Sequence, residues 1–139
     1  MIISLNISNA DHVQHLFRRY PRAVYGLALP YTKDCSYTGI LSQGEDLFIS
    51  GHGSPVSIGH QEGEPRFTPQ QLAEWLEQWV LPCNYWGNIY IAAPGARADF
   101  LDRLHQVLGP AYRDRIFGQF DLAYSQLSPP EEGAWVRVA

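Results

Sequence analysis

One stretch constrains this chain more than any other: Asp46-Leu47-Phe48-Ile49-Ser50 runs without a spacer into Gly51-His52-Gly53-Ser54-Pro55. Apolar residues at consecutive positions, closed off by glycine, read as a strand buried on both faces. Such a strand needs parallel neighbours and helices to cover it, and the rest of the sequence offers both. Met1 to Leu5 is short and Ile-rich, Arg22 to Leu29 reads as a second strand ended by Pro30, and Asn88 to Ala93 reads as a further strand broken by Pro94-Gly95. Arg115 to Phe117 and Ala134 to Val138 look like closing strands, with a loop from Gln126 to Gly133. The stretch Tyr31 to Gln43 is polar and irregular, with room for a short strand at Tyr37 to Leu41.

Three helical segments fall between these strands. Ser8 or Asn9 can cap a helix from Ala10 to Tyr20 that carries Val13, Leu16 and Phe17 on one face; Pro21 stops it. Thr68, Pro69 and Gln71 form a complete helix-start signal, with Leu72, Trp75, Leu76 and Trp79 as the apolar stripe and Pro82 as the stop. Ala96 to Leu108 places Phe100, Leu101, Leu104 and Val107 at helical spacing, and Gly109-Pro110 ends it. Strand, helix, strand, helix, strand predicts an α/β three-layer sandwich with a mostly parallel sheet. At 139 residues this is one domain spanning 1–139.

Charge and composition narrow the function. A net charge of −4 with no basic face argues against a nucleic-acid binder. No apolar run approaches the roughly 20 residues of a membrane span, and the N-terminus lacks a secretory signal. Two cysteines, Cys35 and Cys83, are too few for a disulfide scaffold and suit a reducing, cytoplasmic compartment. The initial Met and short ends suggest a complete small protein.

In open α/β sheets the chemistry collects at the carboxyl ends of the strands. The first unusual strand end is Ser50-Gly51-His52-Gly53-Ser54, where flanking glycines leave the imidazole unobstructed and N–H groups exposed; a general base and a merely solvated turn are about equally good readings. The second is Ile89 to Gly95. There a helix N-terminus would activate a thiol or hydroxyl, yet Ala92-Ala93-Pro94-Gly95 supplies neither. Cys83 reads as structural; loop Cys35, beside Lys33, could reach an active-site edge and pair with His52. Ser54 does not sit in the strand-to-helix elbow of serine hydrolases.

Other candidates have plainer explanations. His12 and His15 lie three apart on the first helix, and exposed helix histidines are rarely ligands. His52 and His60, with Glu62 and Glu64, could hold a metal, but a flexible acidic loop is the stronger reading. His105 falls on a solvated helix face. Arg97, Arg103, Arg113 and Arg115 alternate with Asp99, Asp102 and Asp114 as in ordinary surface ion pairing; an anion beside Gly95 and Arg97 is the one basic-site option. Trp75, Trp79, Tyr85, Trp86 and Tyr90 are mostly core, with Tyr85 and Trp86 in a turn that could meet a partner.

A buried strand ending in Ser50-Gly51-His52-Gly53, then a helix, then Ile89-Tyr90-Ile91-Ala92-Ala93 about forty residues later resembles the caspase-like cysteine peptidases. These include caspases, legumains, gingipains, clostripain and the self-cleaving cysteine protease domains of large bacterial toxins. The resemblance covers Asp46 to Phe117. It implies a caspase-like fold, a catalytic histidine at His52, an oxyanion-stabilising N–H at Gly53 and a nucleophilic cysteine at Pro94, or at Ala93 with the strand shifted by one. No thiol stands at either position, so the acyl-enzyme chemistry cannot start there.

Three functions follow as expectations. The first is a catalytically degenerate domain binding a peptide or protein partner in a cleft lined by His52, Gly53, Pro94 and Gly95, with Gly51, Ser54 and Arg97 beside it. The second is a working cysteine peptidase that draws its thiol from Cys35, or whose nucleophile was replaced at Ala93. The third is a metal- or anion-binding accessory domain. The leading reading expects no cofactor, no bound metal, no nucleic acid and no membrane.

Overall fold

The computed structural model describes residues 1–6, 19–61, 63–121, 127, 129–130 and 135–137. Its central sheet grows from the segment that most constrained the sequence. Leu47–Ser50 (β3) alternates perfectly between two cores: Leu47 and Ile49 face one side, Phe48 the other, all nearly solvent-free. Ile2–Ser4 (β1) and Ile89–Ala92 (β7) flank it in parallel register, Ile2 beside Phe48 and Phe48 beside Tyr90. Ala28–Pro30 (β2) adds to the outer side of β1, and Ile116–Gln119 (β8) to the outer side of β7. Val136–Arg137 (β9) closes the far edge antiparallel. The order is β2-β1-β3-β7-β8-β9, five parallel strands and one antiparallel.

The predicted strand from Arg22 to Leu29 is corrected. Arg22–Tyr25 is a single helical turn (α1) with Pro21 as its N-cap, and Gly26 ends it at φ 74°, a conformation that favours glycine. Strand geometry starts only at Ala28. Tyr37 to Leu41 is likewise a turn: Ile40 and Leu41 amides both donate to the Tyr37 carbonyl at 3.0 Å. The helix expected from Ala10 to Tyr20, with His12 and His15, lies almost wholly outside the described residues, as does most of the loop from Gln126 to Gly133.

Pro69–Trp75 (α2) begins as its capping box dictates. The Gln71 amide donates to Thr68 Oγ1 at 3.3 Å, and the Thr68 amide donates to Gln71 Oε1 at 3.0 Å. It continues as a π-helical turn over Leu76–Val80, closed by the Leu81 amide on the Leu76 carbonyl at 2.8 Å. Asp99–Leu108 (α3) packs on α2, and both cover the face that carries Leu47, Ile49, Ile89 and Ile91. Leu108, rather than Val107, completes its buried stripe. The opposite face is aromatic: Phe48 stacks on Tyr90 at 4.8 Å and Tyr90 on Phe117 at 4.9 Å, a row that follows the strand register. Tyr25, Leu127 and Trp135 pack over that row. The protein is thus an α/β fold with a mostly parallel sheet. Among the described residues no helix is long and apolar enough to cross a membrane.

A second sheet was not foreseen. The chain expected as a loop from Pro55 to Phe67 contains Ile58–Gly59 (β5) and Arg66–Phe67 (β6), and His52–Gly53 (β4) pairs with β5 to make a three-stranded antiparallel sheet, order β4-β5-β6. This small sheet stands on the carboxyl ends of the large one.

Candidate functional site: the carboxyl ends of the parallel sheet

The strand order reverses between β1 and β3, because the chain places β2 outside β1 and everything after β3 on the other side. That is where an open α/β sheet opens a crevice above its strand ends. Here the small sheet occupies the crevice. The Gln61 amide donates to Asn6 Oδ1 at 2.9 Å, so the hairpin between β5 and β6 is fastened to the end of β1.

The backbone that follows β3 runs beside the backbone that follows β7, so Gly53, next to His52, meets Pro94. β3 and β7 are adjacent, the Gly51 amide donates to the Ala92 carbonyl at 3.0 Å, and the Gly53 amide donates to the Pro94 carbonyl at 2.9 Å. Gly53 has to be glycine at this junction: a Cβ there would collide with the Ala96 amide and the Ala93 carbonyl. The next donors are committed too. The Ala93 amide donates to Gln119 O at 3.1 Å, Gly95 to Phe120 O at 3.2 Å and Ala96 to Ala93 O at 3.0 Å. The N–H of Gly53, which the resemblance assigns to an oxyanion, therefore already has an acceptor inside the protein. Ala93 is fully buried and Pro94 is half-buried.

His52 is a strand residue rather than a turn residue. It pairs with Gly59, its carbonyl accepts from Arg66, and its half-buried imidazole makes no hydrogen bond among the described residues. Ser54 Oγ turns away to Ser57 Oγ at 2.9 Å, which fixes the β4–β5 turn. Cys35 lies beyond the end of β2 and packs against the main core, with its thiol directed at the Ser36 carbonyl at 3.8 Å; among the described residues no hydrogen bond joins it to His52. Cys83 is exposed, in a turn whose carbonyl accepts from Gln43 Nε2 at 2.7 Å. Arg97 pairs with Asp99 at 3.5 Å, and Arg103 reaches the same carboxylate at 3.8 Å. Asp99 and Asp102 fill the first turn of α3, so the positive helix end beyond Gly95 already faces the chain's own carboxylates.

Arg66 is the residue sequence reasoning missed. Its guanidinium donates to Ser57 Oγ at 2.9 Å and 3.2 Å, to the Ser57 carbonyl at 3.2 Å, to the His60 carbonyl at 2.8 Å and to the His52 carbonyl at 3.4 Å. One planar fork thus ties all three short strands together. The only hint in sequence was a charged residue between Pro65 and Phe67, which read as loop polarity.

On the far side of the small sheet lies a cleft of about 690 Å³, lined by Tyr31, Lys33, His60, Glu64, Arg66 and Phe67. The size is that of a ligand site. Its wall is aromatic: Tyr31 meets Phe67 edge-on at 5.8 Å, and Phe67 stacks on Trp75 at 5.2 Å. Burial, then the Asp34 and Glu64 carboxylates, push the Tyr31 phenol above its ordinary value. Among the described residues no group of three His, Cys, Asp or Glu side chains could hold a metal ion, and His60 belongs to the cleft instead. Trp86 is exposed, but Tyr85 of the same turn is buried, its hydroxyl donating to the Glu45 carbonyl at 2.6 Å. His105 is half-buried, with a solvent-free Nε2, where a solvated position was expected.

The class this geometry defines is an open α/β sheet with a small antiparallel sheet over its strand ends. No protein-family model, no curated protein and no solved structure matches the chain.

Proposed function

We propose that this chain is a caspase-like domain without a nucleophile, and that it binds a peptide segment of a partner protein at the carboxyl ends of its sheet. The observation that carries the reading is the junction of β4 with the Ala93-Pro94-Gly95 turn. The position that the resemblance gives to the nucleophile offers only Ala93 and Pro94, and the amides of Gly53, Ala93, Gly95 and Ala96 around it donate to backbone carbonyls. An acyl-transfer site needs the reverse, a thiolate or alkoxide beside unpaired donors. What is left for function is the open cleft on the other side of the small sheet, which none of His52, Gly53, Pro94 and Gly95 lines, with its aromatic wall and the outer edge of β6.

Two measurements test this. A panel of fluorogenic peptide amides should go uncleaved, and alkylation of Cys35 and Cys83, followed by mass spectrometry across pH, should be equally slow in the wild type and in His52→Ala. Amide resonances of Gly53, Gly95 and Phe67 should shift when N-acetylated, C-amidated pentapeptides are added. Cleavage that disappears in His52→Ala or Cys35→Ala would replace this reading with an active peptidase.

A further inference from the structure

We propose that the bound peptide lies along β6 with an acidic side chain opposite Arg66 and apolar neighbours against the Tyr31 and Phe67 rings. The inference rests on the peptide-binding reading and names the residue pattern that reading leaves open.

The main chain of β6 sets the register. Gly63, Glu64, Pro65, Arg66 and Phe67 all line the cleft, so it runs the length of β6. β6 pairs with β5 on one side only, and the His60 amide donates to the Pro65 carbonyl at 2.7 Å. In an antiparallel ladder the side to which a residue hydrogen-bonds alternates along the strand. Arg66, next to Pro65, therefore turns its N–H and carbonyl to the open edge. An added strand pairs there, and its residue opposite Arg66 shares the face of the Arg66 side chain. The residues before and after it share the face of Phe67.

Those two faces differ in chemistry. Ile58 stands opposite Phe67 and is buried, while Phe67 stacks on Trp75 at 5.2 Å, so their face is apolar. Tyr31, edge-on to Phe67 at 5.8 Å, extends it. The other face carries Arg66. Its donors go to oxygens of Ser57, His60 and His52 that bear no charge, so the guanidinium keeps its own. Lys33 lines the same cleft, and among the described residues neither cation forms an ion pair. Glu64 is the one carboxylate among the described lining residues; Asp34, the residue after Lys33, lies outside it. Two cations against one carboxylate leave the cleft positive, which favours an acidic guest beside Arg66 and disfavours a basic one.

The test uses isotope-labelled full-length protein and three N-acetylated, C-amidated pentapeptides, Ala-Leu-X-Leu-Ala with X as glutamate, glutamine or lysine. Titration should move the Arg66 and Phe67 amides and protect the Arg66 amide from deuterium exchange. The glutamate peptide should bind about fivefold tighter than the glutamine peptide, and the lysine peptide should bind weakest. Exposed Lys33 permits a variant that spares the bonds Arg66 makes. Lys33→Gln should weaken the glutamate peptide about twofold and leave the glutamine peptide unchanged, whereas Glu64→Gln should tighten the glutamate peptide about twofold. Equal binding of glutamate and glutamine, a preference for lysine, an Arg66 amide left unprotected by a bound peptide, or a glutamate affinity indifferent to both variants overturns this proposal while the peptide-binding reading stands. No shift with any peptide at millimolar concentration overturns both.

Discussion

Gly53 and Arg66 do most to hold the candidate site in shape, and they act in different ways. Gly53 lets two backbones touch: its amide reaches Pro94 only because no side chain intervenes. Gly53→Ala should destabilise the protein by about 1–3 kcal/mol in urea unfolding, since backbone rather than a flexible side chain stands in the way. The same variant should broaden or shift the Gly95 and Ala96 amides before it affects those of α2. At this scale the sequence was half legible. Glycine on both sides of His52 pointed to a sharp turn with an unobstructed imidazole, whereas His52–Gly53 is a short strand where the chain crosses from one sheet to the other. Which N–H groups stay unpaired cannot be read from residue types. The partner of Gly53 is a carbonyl some forty residues away, and it becomes a neighbour only when β3 and β7 align.

Among the elements, the long and well-capped ones were legible and the shortest were not. Thr68-Pro69-Gln71 specified the start of α2 locally, and β3 and β7 declared themselves by apolar runs no loop would carry. Arg22–Tyr25 misled because Ala23, Val24 and Tyr25 are as apolar as a strand, whereas Pro21 and Gly26 close a single turn around them. β5 and β6 are two residues each, too short for any alternation, and the Arg66 side chain adds its own hydrogen bonds to their backbone pairing. The aromatic row across β3, β7 and β8 was likewise invisible, since it is a property of register. Phe48 sits between Tyr25, edge-on at 5.0 Å, and Tyr90, stacked at 4.8 Å. Phe48→Ala should cost about 3–5 kcal/mol, measured as a lowered urea midpoint, because the flanking rings cannot close the space without leaving their strands.

For the molecule as a whole, alkaline pH is the condition that tests the packing. Burial lifts the phenols of Tyr85, Tyr37 and Tyr112 above their ordinary value near 10, and for Tyr85 the neighbouring Asp46 and Glu45 add to it against Arg115. A raised folded value means that the unfolded chain gives up its proton first. Stability is therefore intact below pH 10 and falls above it, by about 1.4 kcal/mol per pH unit for each fully buried phenol. Tyr85→Phe should lower stability at neutral pH by about 1 kcal/mol, through loss of the bonds to Glu45 and Asn88. It should also flatten the alkaline fall. An alkaline slope identical to that of the wild type would show that Tyr85 is not the group responsible.

The position of β1 has a consequence for time rather than for stability. It lies between β2 and β3, so Ile2 is flanked by Ala28 on one side and Phe48 on the other. During synthesis β1 is made before both neighbours, and its second edge stays open until Leu47 to Ser50 exist. Each later strand adds to an open edge of what is already made, so the sheet can grow outward from β1, but the steps that join β1 to β3 and β3 to β7 close long stretches of intervening chain, which is the slow kind of contact. Until then the nascent chain carries an exposed Ile-Ile edge, so the pace at which the following segments emerge bears on whether that edge finds β3 or another molecule.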